Sequence, residues 1–435
     1  MESEQSPRLR PALCAERKSN KSPELERGAT PRPLSTLGVI GGGTMGSGIT
    51  IAALNSGLPV TMVERDQESL ERGIENVKKV YRRDVEKGRL SQEKADKILS
   101  NYSTSTHLKD LSDKDMIIEA VFEELEVKKS VFSQLNDIAK EGAVLASNTS
   151  YLDIDKIASA TDRVGDVIGL HFFSPANIMR LLEIVVPTNV KDDVVATGFQ
   201  LAKILKKVPV RAGNCDGFIG NRVLENYAKA ANYMMEDGTS PYDIDKAIVE
   251  FGYPMGPFQM FDLAGGDIGW ADRKRKAAFR SNEERYVSIA DRICEKGWFG
   301  QKTGRGYYKY TPGARRGEED PEVLSIIQEE RNVKGIEAKS LSSDEIRRRY
   351  FAAMVNESAK VLEEKMALRP SDIDVTKLFG YGFPRHMGGP MRYADVYGIE
   401  NILNDLKELE KEDPYFWKPA ELIVKLVEEG KDFNS

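Results

Sequence analysis

His171 and Glu183 have the residue types and spacing for acid–base chemistry. His171 closes an apolar run, Ile168-Gly169-Leu170-His171, and Glu183 follows twelve residues later inside another, Leu181-Leu182-Glu183-Ile184-Val185. A carboxylate within an apolar strand needs a partner. A strand–loop–strand arrangement would supply one, and the carboxylate would fix the imidazole tautomer and raise its basicity. On spacing alone, a structural His–Glu pair or a solvent-facing Glu183 explains the pattern equally well. Ser147-Asn148-Thr149-Ser150 follows a further apolar strand, Val144–Ala146, and places hydroxyls and an amide at that strand's carboxyl end. Ordinary helix N-capping accounts for those types too. Asn221 opens a helical pattern after Gly217-Phe218-Ile219-Gly220; by itself it reads as solvated surface.

The elements that would position these residues begin at Leu37-Gly38-Val39-Ile40. Gly41-Gly42-Gly43-Thr44-Met45-Gly46 comes next and opens a helical pattern. A second strand, Pro59–Val63, then ends at the acid Glu64. A glycine-rich turn between strand and helix, with an acid after the next strand, is a dinucleotide-binding fingerprint. Gly41 permits the tight turn, Gly43 lets the backbone approach a pyrophosphate, and Gly46 allows close helix packing. Thr44 and Met45 lie in the helix's first turn, whose unpaired N–H groups favour phosphate. Glu64 can accept hydrogen bonds from the ribose hydroxyls of NAD and repels the 2′-phosphate of NADP. Arg65 is a competing phosphate partner, expected to point to the other side of the chain. NAD is therefore the expected cofactor.

Strands also read at Met116–Ala120, Val167–Leu170, Leu182–Val185 and Val208–Val210, with helical patterns between most of them. The expected fold is α/β, a Rossmann-type dinucleotide-binding domain over residues 34–213 with a largely parallel sheet, followed by two duplicated all-α domains. The first, 214–320, ends in a polar, irregular connector over 270–320; the second spans 321–435. The duplication shows in Pro241-Tyr242-Asp243-Ile244-Asp245 against Pro370-Ser371-Asp372-Ile373-Asp374. It shows again in Gly256-Pro257 and Asp262 against Gly389-Pro390 and Asp395. Residues 1–33, rich in Ser, Pro, Glu and Arg, read as a disordered leader. Their acids, including Glu16, Glu24 and Glu26, argue against a mitochondrial transit peptide.

A net charge of −6 argues against nucleic acid as a main partner. No apolar run is long enough for a membrane span. The cysteines Cys14, Cys215 and Cys294 are scattered, form no metal-ligand spacing and fit a reducing compartment. No metal site is expected. Lys78, Lys79, Arg82 and Arg83 could meet ligand phosphates, or form a solvated helix face paired with Glu75 and Glu86.

Taken in order, Ser147-Asn148-Thr149-Ser150, His171-Phe172-Phe173-Ser174-Pro175-Ala176, Met179–Glu183, Gly217–Arg222 and Gly252–Pro257 resemble the L-3-hydroxyacyl-CoA dehydrogenase family. The resemblance runs from Leu37 to the end. With its duplicated helical unit the chain is most similar to the dehydrogenase half of the peroxisomal bifunctional β-oxidation branch. The resemblance implies NAD-dependent oxidation of (S)-3-hydroxyacyl-CoA to 3-oxoacyl-CoA, with an acyl-CoA as substrate. It makes His171 the general base, Glu183 its partner, Ser150 a hydroxyl near the reacting oxygen and Asn221 a substrate-holding amide. Glu123, Lys128 and Asn148 fall where family members meet the cofactor.

Aligning Pro241 with Pro370 puts Tyr350 at the position of Asn221, so the second copy is expected to be structural. By covering faces that single-copy relatives bury on dimerisation, it would allow a monomer. The branch's hydratase–isomerase half and its S-K-L tail are not matched. A separate hydratase partner is therefore compatible, and the compartment is peroxisomal by resemblance, with cytoplasmic as the alternative. A small-acid dehydrogenase with a lysine base and a non-catalytic nucleotide sensor are the competing readings. The set His171, Glu183, Ser150 and Asn221 argues against both.

Overall fold

The computed structural model describes residues 6–314 and 316–435, residues 6–11 by backbone alone. The start of the expected leader, residues 1–5, lies outside the described residues. Two units are present: residues 1–222 with 364–381, and residues 223–363 with 382–435.

The first unit is built on an eight-stranded sheet. Its strands are β1 (Leu37–Ile40), β2 (Val60–Val63), β3 (Tyr102–Ser105), β4 (Met116–Glu119), β5 (Val144–Ser147), β6 (Val167–Phe172), β7 (Leu181–Val186) and β8 (Val208–Gly213). Their spatial order is β3-β2-β1-β4-β5-β6-β7-β8. Every neighbouring pair is parallel except β6 and β7, which run antiparallel. The helices up to β8 are α1 (Ser6–Ser19), α2 (Pro23–Glu26), α3 (Thr44–Asn55), α4 (Gln67–Glu86), α5 (Gln92–Leu99), α6 (Leu125–Ile138), α7 (Ile154–Ala158) and α8 (Asp192–Ile204). Val39, Ile49, Leu54, Ile118, Ile168 and Leu182 belong to the core between sheet and helices. The strand order reverses between β1 and β4, and a sheet of this kind binds ligands beyond the carboxyl ends at that point. All seven expected strands are present: Leu37–Ile40 matches to the residue, and the others differ by one to three residues at their ends. The additional strand β3 reads Tyr-Ser-Thr-Ser. It is a polar edge strand with no apolar run to betray it.

The expected disorder through residue 33 is not what the structure holds. α1 and α2 are helices of the first unit, with Ala12 and Ala15 buried. Glu24 receives Arg211 at 2.7 and 2.9 Å. Arg27 pairs with Asp192 at 2.9 Å, and Arg32 reaches both Asp166 and Asp193 at 2.9 Å. Composition suggested disorder because the segment has little apolar surface of its own. Its charges instead meet partners far along the chain. Just before β1, Asp115 accepts the N–H and hydroxyl of Ser35 at 2.7 and 2.9 Å and the Lys140 ammonium at 2.7 Å.

In the second unit α9 (Gly220–Asp237) continues from the first, followed by α10 (Pro241–Phe251), α11 (Pro257–Ala264), α12 (Gly266–Lys276) and α13 (Ile289–Glu295). A hairpin of β9 (Tyr308–Lys309) and β10 (Glu318–Glu319) leads to α14 (Pro321–Lys334) and α15 (Ser343–Glu363). The expected irregular connector therefore contains two helices and a hairpin. α16 (Pro370–Gly380) lies in the first unit, so the boundaries 214–320 and 321–435 do not coincide with compact bodies. α17 (Pro390–Tyr397) and α18 (Ile399–Glu410) return to the second.

The repeated acids explain the repeated motif. Asp262 receives the N–H groups of Tyr307 and Tyr308 at 2.9 and 3.0 Å. Asp395 receives those of Phe433 and Asn434 at 2.8 and 3.3 Å. Each carboxylate anchors returning chain. Phe251 and Tyr253 from the first copy pack on Phe351 and Phe383 from the second, with ring centroids 4.4 Å apart for Phe251–Phe351 and 5.6 Å for Tyr253–Phe383.

Two stability outcomes are expected from the N-terminal arm. Glu24→Ala leaves Arg211 unpaired and should cost about 2 kcal/mol in urea unfolding, somewhat less than a fully buried pair because the Arg211 side chain keeps 16% exposure. A loss under about 0.5 kcal/mol, the scatter of ordinary surface changes, would mean the arm is not held by this pair. Burial alone would raise the Asp115 carboxyl, but Lys140 and the Ser35 hydrogen bonds outweigh it and bring it down to about 2. A depressed folded value means its contribution is fully present above about pH 4 and is lost as pH falls toward 2. Asp115→Asn should therefore be less stable at neutral pH, with a shallower decline over that acid range in a pH series of unfolding curves.

Candidate active site

Two regions of the first unit hold the expected site residues. One is a cleft of about 1110 Å³ at the strand-order reversal, lined by Gly41, Gly42, Gly43, Glu64, Ala120 and Val121 among others. Gly41 has φ +104°, and a Cβ there would sit 2.5 Å from the Ala120 carbonyl oxygen. A Cβ on Gly46 would fall 1.9 Å from the Gly41 carbonyl oxygen, so this glycine closes the turn on itself. A Cβ on Gly43 would meet nothing within 4 Å, leaving that backbone open to a ligand. α3 starts at Thr44 with Gly43 as N-cap and no side chain capping it, so the first-turn N–H groups, including those of Thr44, Met45 and Gly46, are offered to an anion. The Glu64 carboxylate accepts from the Gly42 N–H at 2.7 Å and the Arg65 N–H at 3.1 Å. Arg65 is among the residues that line the same cleft, and its guanidinium lies 3.2 Å from Asp66.

The other region lies at the carboxyl end of β6. His171 and Glu183 are direct cross-strand partners in the β6–β7 ladder, and directly opposed side chains stand on one face. His171 Nδ1 is 2.9 Å from one Glu183 oxygen, and the Gly220 N–H donates to the other at 2.8 Å. Glu183 is fully buried and His171 is 4% exposed. The Phe173 and Phe218 rings lie 4.4 and 5.6 Å from the imidazole. Asn221 Nδ2 donates to the Ser150 carbonyl at 3.4 Å, while the Tyr381 hydroxyl donates to Asn221 Oδ1 at 2.8 Å. The structure thus brings His171 to Glu183 and Ser150 to Asn221.

Behind the cleft lies a charged cluster that sequence reasoning saw only in part. Glu119, at the end of β4, is fully buried. It accepts from Lys128 at 2.6 Å, Ser147 at 2.6 Å and the Val121 N–H at 2.9 Å. Lys128 is 1% exposed, so its ammonium props the β4 loop through Glu119 and the Val121 carbonyl. Glu123 accepts the Thr149 hydroxyl and the Ser150 N–H, the latter at 3.1 Å. It joins the cofactor side to the Ser150 side. Asn148 accepts the Phe172 N–H at 2.9 Å and so ties β5 to β6 beside His171. Glu119 was missed because an acid closing an apolar strand shows no partner until Lys128 and Ser147 are in place. Arg82 on α4 pairs with Glu75 at 3.1 Å, as the solvated-face alternative expects.

The second helical copy does not rebuild this site. Tyr350 is buried, with its ring 5.0 Å from that of Tyr227.

Residues 36–215 match the pattern described as the 3-hydroxyacyl-CoA dehydrogenase NAD binding domain, and residues 217–310 and 346–432 each match that family's C-terminal domain. The chain belongs to the 3-hydroxyacyl-CoA dehydrogenase family. It is 41% identical to the peroxisomal bifunctional enzyme of Cavia porcellus over 418 residues, covering 92% of this chain and 57% of that one. With the Homo sapiens protein of the same name the identity is 39%, covering 99% of this chain and 62% of that one. The chain thus spans less than two thirds of the length of these curated relatives. The dehydrogenase part of multifunctional enzyme 1 from C. elegans superposes with a TM-score of 0.69 at 29% identity, covering 95% of this chain and 96% of that one. 3-Hydroxybutyryl-CoA dehydrogenase from Escherichia coli gives 0.79 at 25% identity, covering 92% and 100%. The cofactor of this dehydrogenase family domain is NAD, and the glycine cradle, the uncapped α3 start and Glu64 fit it.

If Glu64 faces the ribose, Glu64→Ala should weaken NADH binding about tenfold, the scale of hydrogen bonds to a charged group. It should also narrow the preference over NADPH, as read by fluorescence titration of both. A wild-type protein that prefers NADPH would make Arg65 the selecting residue.

Proposed function

We propose that the chain oxidises (S)-3-hydroxyacyl-CoA to 3-oxoacyl-CoA, with His171 as general base and Glu183 as its partner. The observation that carries this reading is the buried 2.9 Å contact of His171 Nδ1 with Glu183, itself held by the Gly220 N–H at 2.8 Å. With Nδ1–H donating to the carboxylate, the neutral imidazole keeps its lone pair on Nε2. Nε2 then accepts the proton of the substrate's 3-hydroxyl as the carbonyl forms. Bound NAD supplies the acceptor for the hydrogen leaving C3 with its electron pair. The imidazolium that develops sits against Glu183 in a site walled by Phe173 and Phe218. The attraction between them grows as the proton moves, so it favours the transition state over the ground state. In the reverse direction the same imidazolium returns the proton.

Ser150 and Asn221 are assigned to the reacting oxygen, the serine through its hydroxyl and the asparagine through its Nδ2 hydrogens. Glu123 and Asn148 hold the loop after β5 that carries Ser150. An acyl-CoA is the substrate class. Because 3-hydroxyacyl-CoA arises by hydration of an enoyl-CoA, a hydratase must supply it. A peroxisomal setting for this step, within fatty-acid β-oxidation, is supported by the names of the relatives.

NADH oxidation with acetoacetyl-CoA tests the reading directly. His171→Gln should lower kcat by about 10²–10⁴-fold, the usual cost of losing a general base, with NADH affinity nearly unchanged. Glu183→Gln should lower kcat by a smaller factor. Turnover by His171→Gln close to that of the unaltered protein would remove the assignment.

A further inference from the structure

Asn221 can serve a substrate oxygen only if its amide presents nitrogen rather than oxygen. An isolated carboxamide has no such preference, because its two ends differ little in shape. Two partners in the first unit decide the matter, one of them from the second helical copy. The Ser150 carbonyl, which can only accept, takes Nδ2 at 3.4 Å. The Tyr381 hydroxyl, just past the end of α16, donates to Asn221 Oδ1 at 2.8 Å and holds the oxygen end in place.

The tyrosine is itself held from several directions. The Phe173 ring meets it edge-on with centroids 5.5 Å apart. The Lys377 ammonium lies 3.8 Å from the Tyr381 ring centroid. Lys377 is fully buried and donates to the Gly220 carbonyl at 2.9 Å. The same Gly220 residue donates its N–H to Glu183. Burial pulls the Lys377 ammonium well below its ordinary range, and the Glu183 charge pulls the other way. Gly220 also has to be a glycine here, since a Cβ would sit 2.3 Å from the Tyr381 hydroxyl.

The repeat pattern marks these positions as specific to the second copy. Aligned through Pro241 and Pro370, Lys377 replaces Ile248. From Asp245 to Pro254 is nine residues and from Asp374 to Pro384 is ten, the extra residue falling at Gly380-Tyr381.

We propose that Tyr381, braced by Lys377, is a positioning residue that orients the Asn221 amide toward the substrate oxygen. This inference rests on the assignment of Asn221 made above. Tyr381→Phe removes the hydroxyl and keeps the ring. It should lower kcat about tenfold, a usual scale for losing an outer hydrogen-bond partner. KM for acetoacetyl-CoA, its affinity by titration calorimetry, and the acid limb of the pH profile should stay unchanged. The thermal midpoint should also stay close to that of the unaltered protein. In an Asn221→Ala background Tyr381→Phe should have no further effect on kcat, because the group it orients is gone. If Asn221→Ala is slow while Tyr381→Phe turns over normally, the positioning role alone is overturned. If the two losses multiply in the double variant, Tyr381 acts independently of Asn221 and the inference is also overturned. If Asn221→Ala itself turns over normally, the assignment of Asn221 fails, and this inference fails with it.

Discussion

A carboxylate with no exposed surface lies at the centre of the first unit, and its neighbours are arranged around the cost of keeping it there. Glu183 in an apolar strand would be strongly destabilising unless both oxygens were satisfied. His171 satisfies one and the Gly220 N–H the other. The first requires β6 and β7 to run antiparallel with His171 opposite Glu183, in an otherwise parallel sheet. The second requires α9 to begin at a fixed place beside β7. A shift of one residue in the β6–β7 register would move Glu183 to the other face of the sheet. The geometry needed to bury the charge is also the geometry that gives the imidazole one tautomer. On the proposed mechanism, stability and reactivity are therefore coupled at this pair.

A second buried acid organises the cofactor side in the same way. Glu119 draws Lys128, Ser147 and the Val121 N–H onto one carboxylate, joining the ends of β4 and β5 to α6. From there Glu123 reaches the Thr149 hydroxyl and the Ser150 N–H. A polar network of this kind is stable only when every member is paired. Its effect is to hold the loop after β4 and the loop after β5 in one arrangement across the cleft.

What was legible in the sequence was what local pattern determines. The glycine turn, its flanking strands and Glu64 are close in sequence, and the apolar strands announce themselves. The His171–Glu183 contact was readable as an option because a charge inside an apolar run demands compensation, although spacing alone did not choose between chemistry and structure. Polar β3 left no pattern to read. The arm before β1 looked disordered because its partners, Arg211, Asp192 and Asp193, lie far away in sequence. Tyr381 was hidden by the duplication itself: a repeat invites the assumption that each copy packs as a body, and α16 departs from it. Its traces in the sequence were the exchange of Ile248 for Lys377 and the extra residue at Gly380-Tyr381.

That departure has a consequence for how the chain is made. The first unit is discontinuous, since residues 223–363 are synthesised between its larger part and the segment 364–381. On a ribosome adding about 10 residues per second, the wait from residue 222 to residue 381 is about 16 s, and until it ends the sheet lacks α16 on β7 and β8. Gly380 packs on Leu181 and Gly213 on Met366, so those backbone surfaces stay uncovered for the interval. The nascent protein can close its glycine cradle and its parallel strands early, but the environment of Asn221 is completed only when most of the chain has emerged. A shortened protein ending before residue 364 would lack α16, Lys377 and Tyr381, and with them the contacts they make to Gly220 and Asn221.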